Sequence, residues 1–127
     1  MIALYIALGG ALGSLARHYA GTALAAMLGQ WLPWGTVLVN ITGSFLIGCA
    51  NGSMQAAAHG QDSSFLRYFV MVGICGGYTT FSAFSLQTFH MLQDGFFARA
   101  LLHAGLSVGA CLIATAAGHY LIQTFVR

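Results

Sequence analysis

Charged residues are scarce in this 127-residue chain, which contains four arginines, two aspartates, no lysine and no glutamate, or 5% in all. A soluble domain of average composition is about 25% charged. Hydrophobic residues make up 58% of the chain. Six charges are too few to form the polar surface of a water-soluble enzyme, so that class is excluded. The chain also lacks any run of basic residues, which excludes a nucleic-acid-binding surface.

Paired cysteines are absent as well. Cys49, Cys75 and Cys111 each lie in an apolar segment, and none of them forms a C-x-x-C pair. Their number is odd and their spacing is wide, so the sequence does not indicate a disulfide framework. We interpret the three side chains as small hydrophobic groups.

Four long apolar segments dominate the chain, at about residues 2–28, 34–54, 65–92 and 96–125. Each is longer than the roughly 20 residues that a helix needs to cross the hydrocarbon core of a bilayer. The connecting segments are short, and the only proline lies in the first of them. The sequence therefore predicts an all-α integral membrane protein, with residues 1–127 forming a single domain of four transmembrane helices.

The orientation of such a domain is weakly specified. Four spans place both termini and the loop at residues 55–64 on one side, with Arg67 and Arg127, and leave Arg99 on the other. A difference of one arginine is a weak signal under the positive-inside rule. We hypothesise that the protein inserts in both orientations and pairs with an inverted copy of itself, as an antiparallel, dual-topology homodimer.

Pairs of glycines four residues apart recur along the chain. Such pairs let helix backbones approach each other closely. The pattern fits packing within one subunit and contact between subunits equally well. The pairs are Gly9 with Gly13, Gly73 with Gly77, and Gly105 with Gly109.

The segment GGYTTFSAFS, at residues 76–85, lies near the middle of the third apolar stretch. Its two glycines and two threonines are poor helix formers. They predict a helix that is broken near the bilayer midplane and leaves backbone carbonyls without helical partners. Such free carbonyls can coordinate a small cation. The alternative is a close-packed glycine pair in an intact helix. In an inverted dimer, two such breaks would meet and enclose one structural cation such as Na⁺.

Two phenylalanines follow this break. Phe81 and Phe84 are spaced i, i+3 and so share a helix face. The edge of an aromatic ring is electropositive, so a ring presented edge-on can contact an anion in a dry pore. The alternative is ordinary contact with lipid or with the protein core.

Other polar residues lie within the apolar segments. Asn40 has Thr36 and Ser44 four residues to either side, and its amide donates two hydrogen bonds without carrying charge. Arg17 has no acidic partner within any span, so we expect it to face a water-filled vestibule and to attract anions there. Snorkelling of Arg17 and interhelical hydrogen bonding by Asn40 are the alternatives. The last segment carries a four-residue-spaced polar track of His103, Ser107, Cys111 and Thr115.

These interior groups include hydrogen-bond donors and a positive charge but no carboxylate, which favours a small anion as the substrate. The motifs also resemble those of the Fluc (also called CrcB) family of bacterial fluoride channels. The resemblance covers essentially the whole chain and rests on G-x-x-x-R at residues 13–17, W-G-T-x-x-V-N at residues 34–40, and G-G-x-T-T-F-S-x-F-S at residues 76–85.

The resemblance implies an inverted homodimer in the bacterial cytoplasmic membrane, with two fluoride pores, a central Na⁺ and no enzymatic activity. It makes Asn40 the pore amide and Phe81 and Phe84 the rings that contact fluoride edge-on. It assigns backbone carbonyls of Gly76 and Thr79 to Na⁺. Ser107 and Thr115 belong to the polar track. The chain departs from the pattern of some relatives at Ala83, Gln87, His103 and Cys111.

The predicted function is passive export of toxic fluoride. One alternative is a small multidrug-resistance-type transporter, which needs a membrane-embedded carboxylate, whereas Asp62 and Asp94 lie in predicted loops. A second alternative is a membrane haem protein with axial ligands among His90, His103 and His119. The chain has no haem-attachment motif.

Overall fold

The computed structural model describes residues 1–57 and 63–126. Every regular element in these two ranges is helical, which confirms the predicted all-α class. The helices are α1 (Ile2–Leu28), α2 (Trp34–Ala56), α3 (Phe65–Cys75, wound as a π-helix, continuing into Gly76–Tyr78), α4 (Phe81–Gln93) and α5 (Phe97–Val126). Half of the predicted polar loop, residues 58–62 with Asp62, lies outside the described residues, as does Arg127.

Three stretches are long and apolar enough to cross a membrane: Trp34–Ala56, Phe65–Gln93 and Phe97–Val126. They correspond to the second, third and fourth predicted spans, and together they indicate a multi-pass membrane protein. Helix α1 is also long, at 27 residues, but it is not among these stretches. Because Arg17 and His18 lie in its second half, its hydropathy is lowered, and its transmembrane placement stays a prediction.

The helix ends follow from local chemistry. Gly29, with φ of +79°, ends α1, and Gly95, with φ of +81°, forms the turn between α4 and α5. Glycine adopts these positive φ values without steric cost. Pro33 directly precedes α2, where its fixed φ and missing N–H are tolerated.

Glycines set the helix packing. Gly9 and Gly73 face each other across the contact between α1 and α3, and a Cβ atom built on Gly9 would lie 2.9 Å from the Gly73 Cα atom. Gly48 and Gly118 likewise bring the backbones of α2 and α5 together. Two of the predicted glycine pairs, Gly9 with Gly13 and Gly73 with Gly77, therefore pack within one chain. The third pair, Gly105 and Gly109, has open space around both positions.

Candidate functional site

The helical conformation is interrupted between α3 and α4. Thr79 (φ −83°, ψ 158°) and Thr80 (φ −148°, ψ 113°) are extended. The Thr80 hydroxyl accepts a hydrogen bond of 3.1 Å from the Ala83 N–H and so caps the first turn of α4. Threonine is a preferred residue at this N-cap position. The low helix propensity of the preceding glycines and the cap on α4 together account for the position of the interruption.

Asn40 on α2 pairs with the backbone of Thr80. Its Nδ2 donates to the Thr80 carbonyl at 3.0 Å, and its Oδ1 accepts from the Thr80 N–H at 2.7 Å. In an unbroken helix the Thr80 N–H would bond to the Gly76 carbonyl, four residues earlier. The side chain of Asn40 thus replaces a helical bond, and the Gly76 carbonyl loses its usual partner.

Arg17 on α1 reaches the same interruption. Its guanidinium donates to the Thr79 carbonyl at 3.0 Å. This carbonyl has also lost its helical partner, because the Ala83 N–H bonds to the Thr80 hydroxyl instead. Arg17 lines a cavity of about 620 Å³ that also includes Thr36 and Gln87. A positive charge therefore lies in the wall of this cavity, beside the unwound backbone.

A second cavity, of about 430 Å³, lies next to the interruption. Six of the nine predicted site residues line it: Asn40, Gly76, Thr79, Phe81, Phe84 and Ser107. Of the other three, Arg17 lines the first cavity, and neither His103 nor Thr115 is part of the second. The Thr115 hydroxyl donates to the Cys111 carbonyl at 3.0 Å, within its own helix. Cys111, from the same predicted track, does line the second cavity.

The two phenylalanines are neighbours with different surroundings. Their ring centroids are 5.4 Å apart and the ring planes are inclined by 46°. Phe81 is 76% exposed in the single chain, whereas Phe84 is partly covered and packs against the imidazole of His103 at 5.0 Å between centroids. The cavity wall therefore contains one largely exposed ring and one partly covered ring.

His103 and Ser107 are buried polar residues on α5. His103 Nδ1 lies 3.0 Å from the Thr88 hydroxyl. Neither His103 Nε2 nor Ser107 Oγ has a hydrogen-bond partner in the part of the chain that the structure describes. Since buried polar groups are nearly always paired, both atoms call for a ligand or a water molecule.

Sequence reasoning missed several contributions to the site. Thr88 was not predicted as the partner of His103, and the 2.9 Å bond from Gln87 Nε2 to the Thr36 hydroxyl was not foreseen. Sequence reasoning also missed that α1 forms part of the wall of the first cavity, through Ser14, His18 and Thr22. The four-residue spacing of these three polar residues was the available signal, because it places them on one helix face.

Side-chain metal ligands are not clustered in the described ranges, where no group of three His, Cys, Asp or Glu side chains could hold a metal ion. Two of the three histidines of the haem alternative have other partners. His119 Nδ1 bonds with Asn51 Nδ2 at 3.1 Å, and His103 Nδ1 bonds with Thr88. A cation at this site would therefore need neutral oxygen ligands, such as the backbone carbonyls of the interruption.

The model of the family described as CrcB-like protein, Camphor Resistance (CrcB), matches residues 4–119. The chain belongs to this family. The matched range contains all nine predicted site residues, so the resemblance based on the three motifs is confirmed for the segment that forms both cavities.

Curated relatives of this CrcB-like chain bear the name fluoride-specific ion channel FluC. The protein from Methylobacterium radiotolerans is 46% identical over 114 residues, covering 90% of this chain and 79% of its own length. One from Rhodopseudomonas palustris is 48% identical over 119 residues, with 90% and 81% coverage. The protein from Rhodospirillum rubrum is 44% identical over 124 residues, with 94% and 92% coverage.

Proposed function

We propose that this protein is a passive, fluoride-selective channel, not an enzyme, which exports toxic fluoride across the bacterial cytoplasmic membrane. One observation carries the proposal: the cavity beside the interruption combines the Asn40 amide, the rings of Phe81 and Phe84 and the Ser107 hydroxyl. These groups offer donors and electropositive ring edges, and the cavity wall described by the structure contains no carboxylate. The names of the curated relatives support the same conclusion.

Fluoride is a physically reasonable choice for such a site. It is small and strongly hydrated, so a dry path must replace its water shell with close donors. The amide of Asn40 uses one N–H on Thr80 and keeps a second N–H for a ligand. A larger halide would fit this path less closely and accept weaker hydrogen bonds, which gives selectivity by coordination.

The remaining residues extend the pathway on either side of the cavity. Arg17 concentrates anions in the first cavity through its positive charge. On the opposite side, His103, Ser107 and Thr115 follow one another along α5 and provide polar groups for an ion that moves along the helix. Fluoride thus passes from a positively charged vestibule, past the rings, to the polar track.

A second, inverted copy would complete the pathway. In the single chain Phe81 is 76% exposed and large apolar side chains such as Leu112 and Ile113 are also exposed. Helix faces of this kind need lipid or another subunit, and the unwound backbone at Thr79 and Thr80 is tolerated at membrane depth only when protein or a cavity surrounds it. Thr79 lies at the centre of the stretch Phe65–Gln93, which supports a break near the bilayer midplane.

The backbone carbonyls of Gly76 and Thr79 fit a structural Na⁺ at the centre of that dimer. Both have lost their helical partners, and unwound carbonyls are established ligands for Na⁺ in membrane proteins. The Thr79 carbonyl accepts a bond from Arg17 but has a second lone pair for a cation. Two carbonyls are too few to surround an ion, so the inverted copy would supply the others. The ion would hold the two interruptions together.

The deciding experiment is efflux of fluoride and chloride from proteoliposomes, followed with ion-selective electrodes. We expect rapid fluoride efflux and chloride efflux no faster than that from liposomes without protein. Fluoride efflux should persist when an uncoupler removes any proton gradient, because the transport is passive. Equal efflux of both halides, or export of organic cations in exchange for protons, would overturn the proposal.

A further inference from the structure

His103 is a titratable side chain enclosed within the protein. It is 0% exposed, on α5, with its ring against Phe84 and its Nδ1 against Thr88. Phe84 lines the cavity that we propose as part of the fluoride pathway. The imidazole therefore packs directly against a ring of the cavity wall.

The hydrogen bonds around His103 determine which of its nitrogens carries a proton. The Thr88 hydroxyl has one proton, and it donates this proton to the Phe84 carbonyl at 2.8 Å. With that proton used, the hydroxyl accepts from His103, and we therefore assign the N–H of the 3.0 Å bond to Nδ1. In a neutral imidazole only one nitrogen is protonated. Neutral His103 consequently has a bare lone pair at Nε2.

That lone pair has no partner among the described residues, and neither does the hydroxyl of Ser107. The two residues are four apart on α5 and so lie on the same helix face. Ser107 is 5% exposed and lines the cavity. An anion near both would be attracted by the hydroxyl but repelled by a neutral imidazole. Protonation of Nε2 converts this repulsion into a charge-assisted hydrogen bond.

Few other titratable groups face this position. Helix α2, which packs against α5, has Cys49 as its one titratable side chain, and α4, also against α5, has His90. His90 lines a separate cavity with Asp94 and Arg99. Arg99 is one turn before His103 on α5 and bonds to the Trp31 carbonyl. Cys111 lies two turns after His103 on α5. Both Cys111 and Cys75, the latter on α3, line the fluoride cavity.

We propose that His103 makes fluoride passage depend on protonation: a proton from water binds Nε2, and the imidazolium N–H and the Ser107 hydroxyl together hold the anion. When fluoride leaves, the proton can return to water. This inference rests on the proposed function. The conducting state is the protonated one, so fluoride flux should fall as pH rises through the titration of His103.

The test is fluoride efflux from proteoliposomes at equal internal and external pH, varied from about 5 to 9, the range that brackets the ordinary histidine titration. Leakage of HF through lipid also rises in acid, so efflux from liposomes without protein is subtracted at every pH. For the wild type we expect flux to decline about tenfold per pH unit above the midpoint, because the protonated fraction does so.

Two variants distinguish an effect of the proton on His103 from an effect on folding. His103→Gln keeps a neutral donor of similar reach and should conduct with a flat pH profile. Thr88→Val removes the acceptor for Nδ1–H, which frees the neutral ring to place its proton on Nε2. We therefore expect this variant to conduct better than the wild type at high pH and to lose most of the pH dependence. His90→Gln is the matched control and should keep the wild-type profile.

The outcomes distinguish the inference from the proposed function. A flat profile in the wild type with selective fluoride flux would overturn the role of His103 and leave the channel function intact. The same would follow if the His90→Gln variant, and not His103→Gln, abolished the pH dependence. Absence of fluoride flux at every pH would instead overturn the proposed function.

Discussion

The side-chain amide of Asn40 pairs with both backbone polar groups of Thr80, donating to its carbonyl at 3.0 Å and accepting from its N–H at 2.7 Å. A residue of α2 thereby replaces the hydrogen bond that the Thr80 N–H would make to the Gly76 carbonyl in an unbroken helix. Unpaired backbone groups are costly away from water, so this pairing stabilises the extended segment. It also fixes the orientation of the amide, whose second N–H we propose donates to fluoride.

Replacing Asn40 by Asp should abolish most fluoride flux. The carboxylate can still accept from the Thr80 N–H but cannot donate to the carbonyl, and it adds a negative charge to the anion pathway. We expect efflux to fall by more than about tenfold, since loss of one donor at a charged ligand costs more than the 1.4 kcal/mol that a factor of ten represents. Electrode-monitored efflux from proteoliposomes measures the change.

Asn51→Asp is the matched control for that variant. Asn51 lies on the same helix and bonds to His119, outside both cavities. It should retain fluoride flux close to that of the wild type. Undiminished flux in the Asn40 variant would remove this residue from the pathway.

Phe81→Ile and Phe84→Ile should each slow fluoride flux and leave folding intact. Isoleucine fills similar space but has no electropositive ring edge, and an aromatic contact contributes about 0.5–1.5 kcal/mol. Phe89→Ile changes an exposed ring of the same helix and should leave fluoride flux unchanged. Size-exclusion chromatography checks that all three variants keep the wild-type elution volume. Normal flux in both cavity variants would contradict the ring-edge role.

Arg17→Gln should reduce fluoride flux most strongly at low ionic strength. Glutamine retains a donor for the Thr79 carbonyl but removes the charge that concentrates anions in the vestibule. Because salt screens this charge over about 10 Å at 0.1 M, the difference from the wild type should shrink as inert salt is added. Arg67→Gln, at an exposed position, is the control. A deficit that is independent of salt would point to a purely structural role.

Removal of Na⁺ should destabilise the dimer that we propose. A ligand that binds only the assembled state stabilises it by about 2.7 kcal/mol at 100 times its dissociation constant. We expect the thermal midpoint of the detergent-solubilised protein to fall when choline replaces Na⁺ at constant ionic strength, and to recover when Na⁺ returns. An unchanged midpoint would exclude a stabilising Na⁺ at the carbonyls of Gly76 and Thr79.

Gly9→Ala should destabilise the fold, whereas Gly10→Ala should be tolerated. Both changes add one methyl group to α1, but only the one at Gly9 meets the backbone of α3, while Gly10 has open space. Overpacking of this kind costs about 1–3 kcal/mol. Thermal unfolding in detergent measures the difference. Equal midpoints would show that α1 and α3 are not closely packed through Gly9.

The sequence itself was sufficient for the helical class and for the approximate helix bounds, because the length and hydropathy of apolar segments are local properties. The weak helix formers at residues 76–80 also predict a broken helix, and Thr79 and Thr80 are extended in the structure. The position of such a break at the bilayer midplane stays a prediction. The transmembrane placement of the first segment stays a prediction. There, Arg17 and His18 lower the hydropathy of a helix whose length alone would suffice.

Only the tertiary structure decided which groups complete the site. Asn40 and Arg17 reach the interruption from other helices, and the close approach of α1 to α3 through Gly9 and Gly73 makes the contact of Arg17 possible. The proton on His103 Nδ1 depends on Thr88, fifteen residues away. Spacing along a chain specifies which residues share a helix face. Hydrogen-bond partners between helices depend on distances that packing sets.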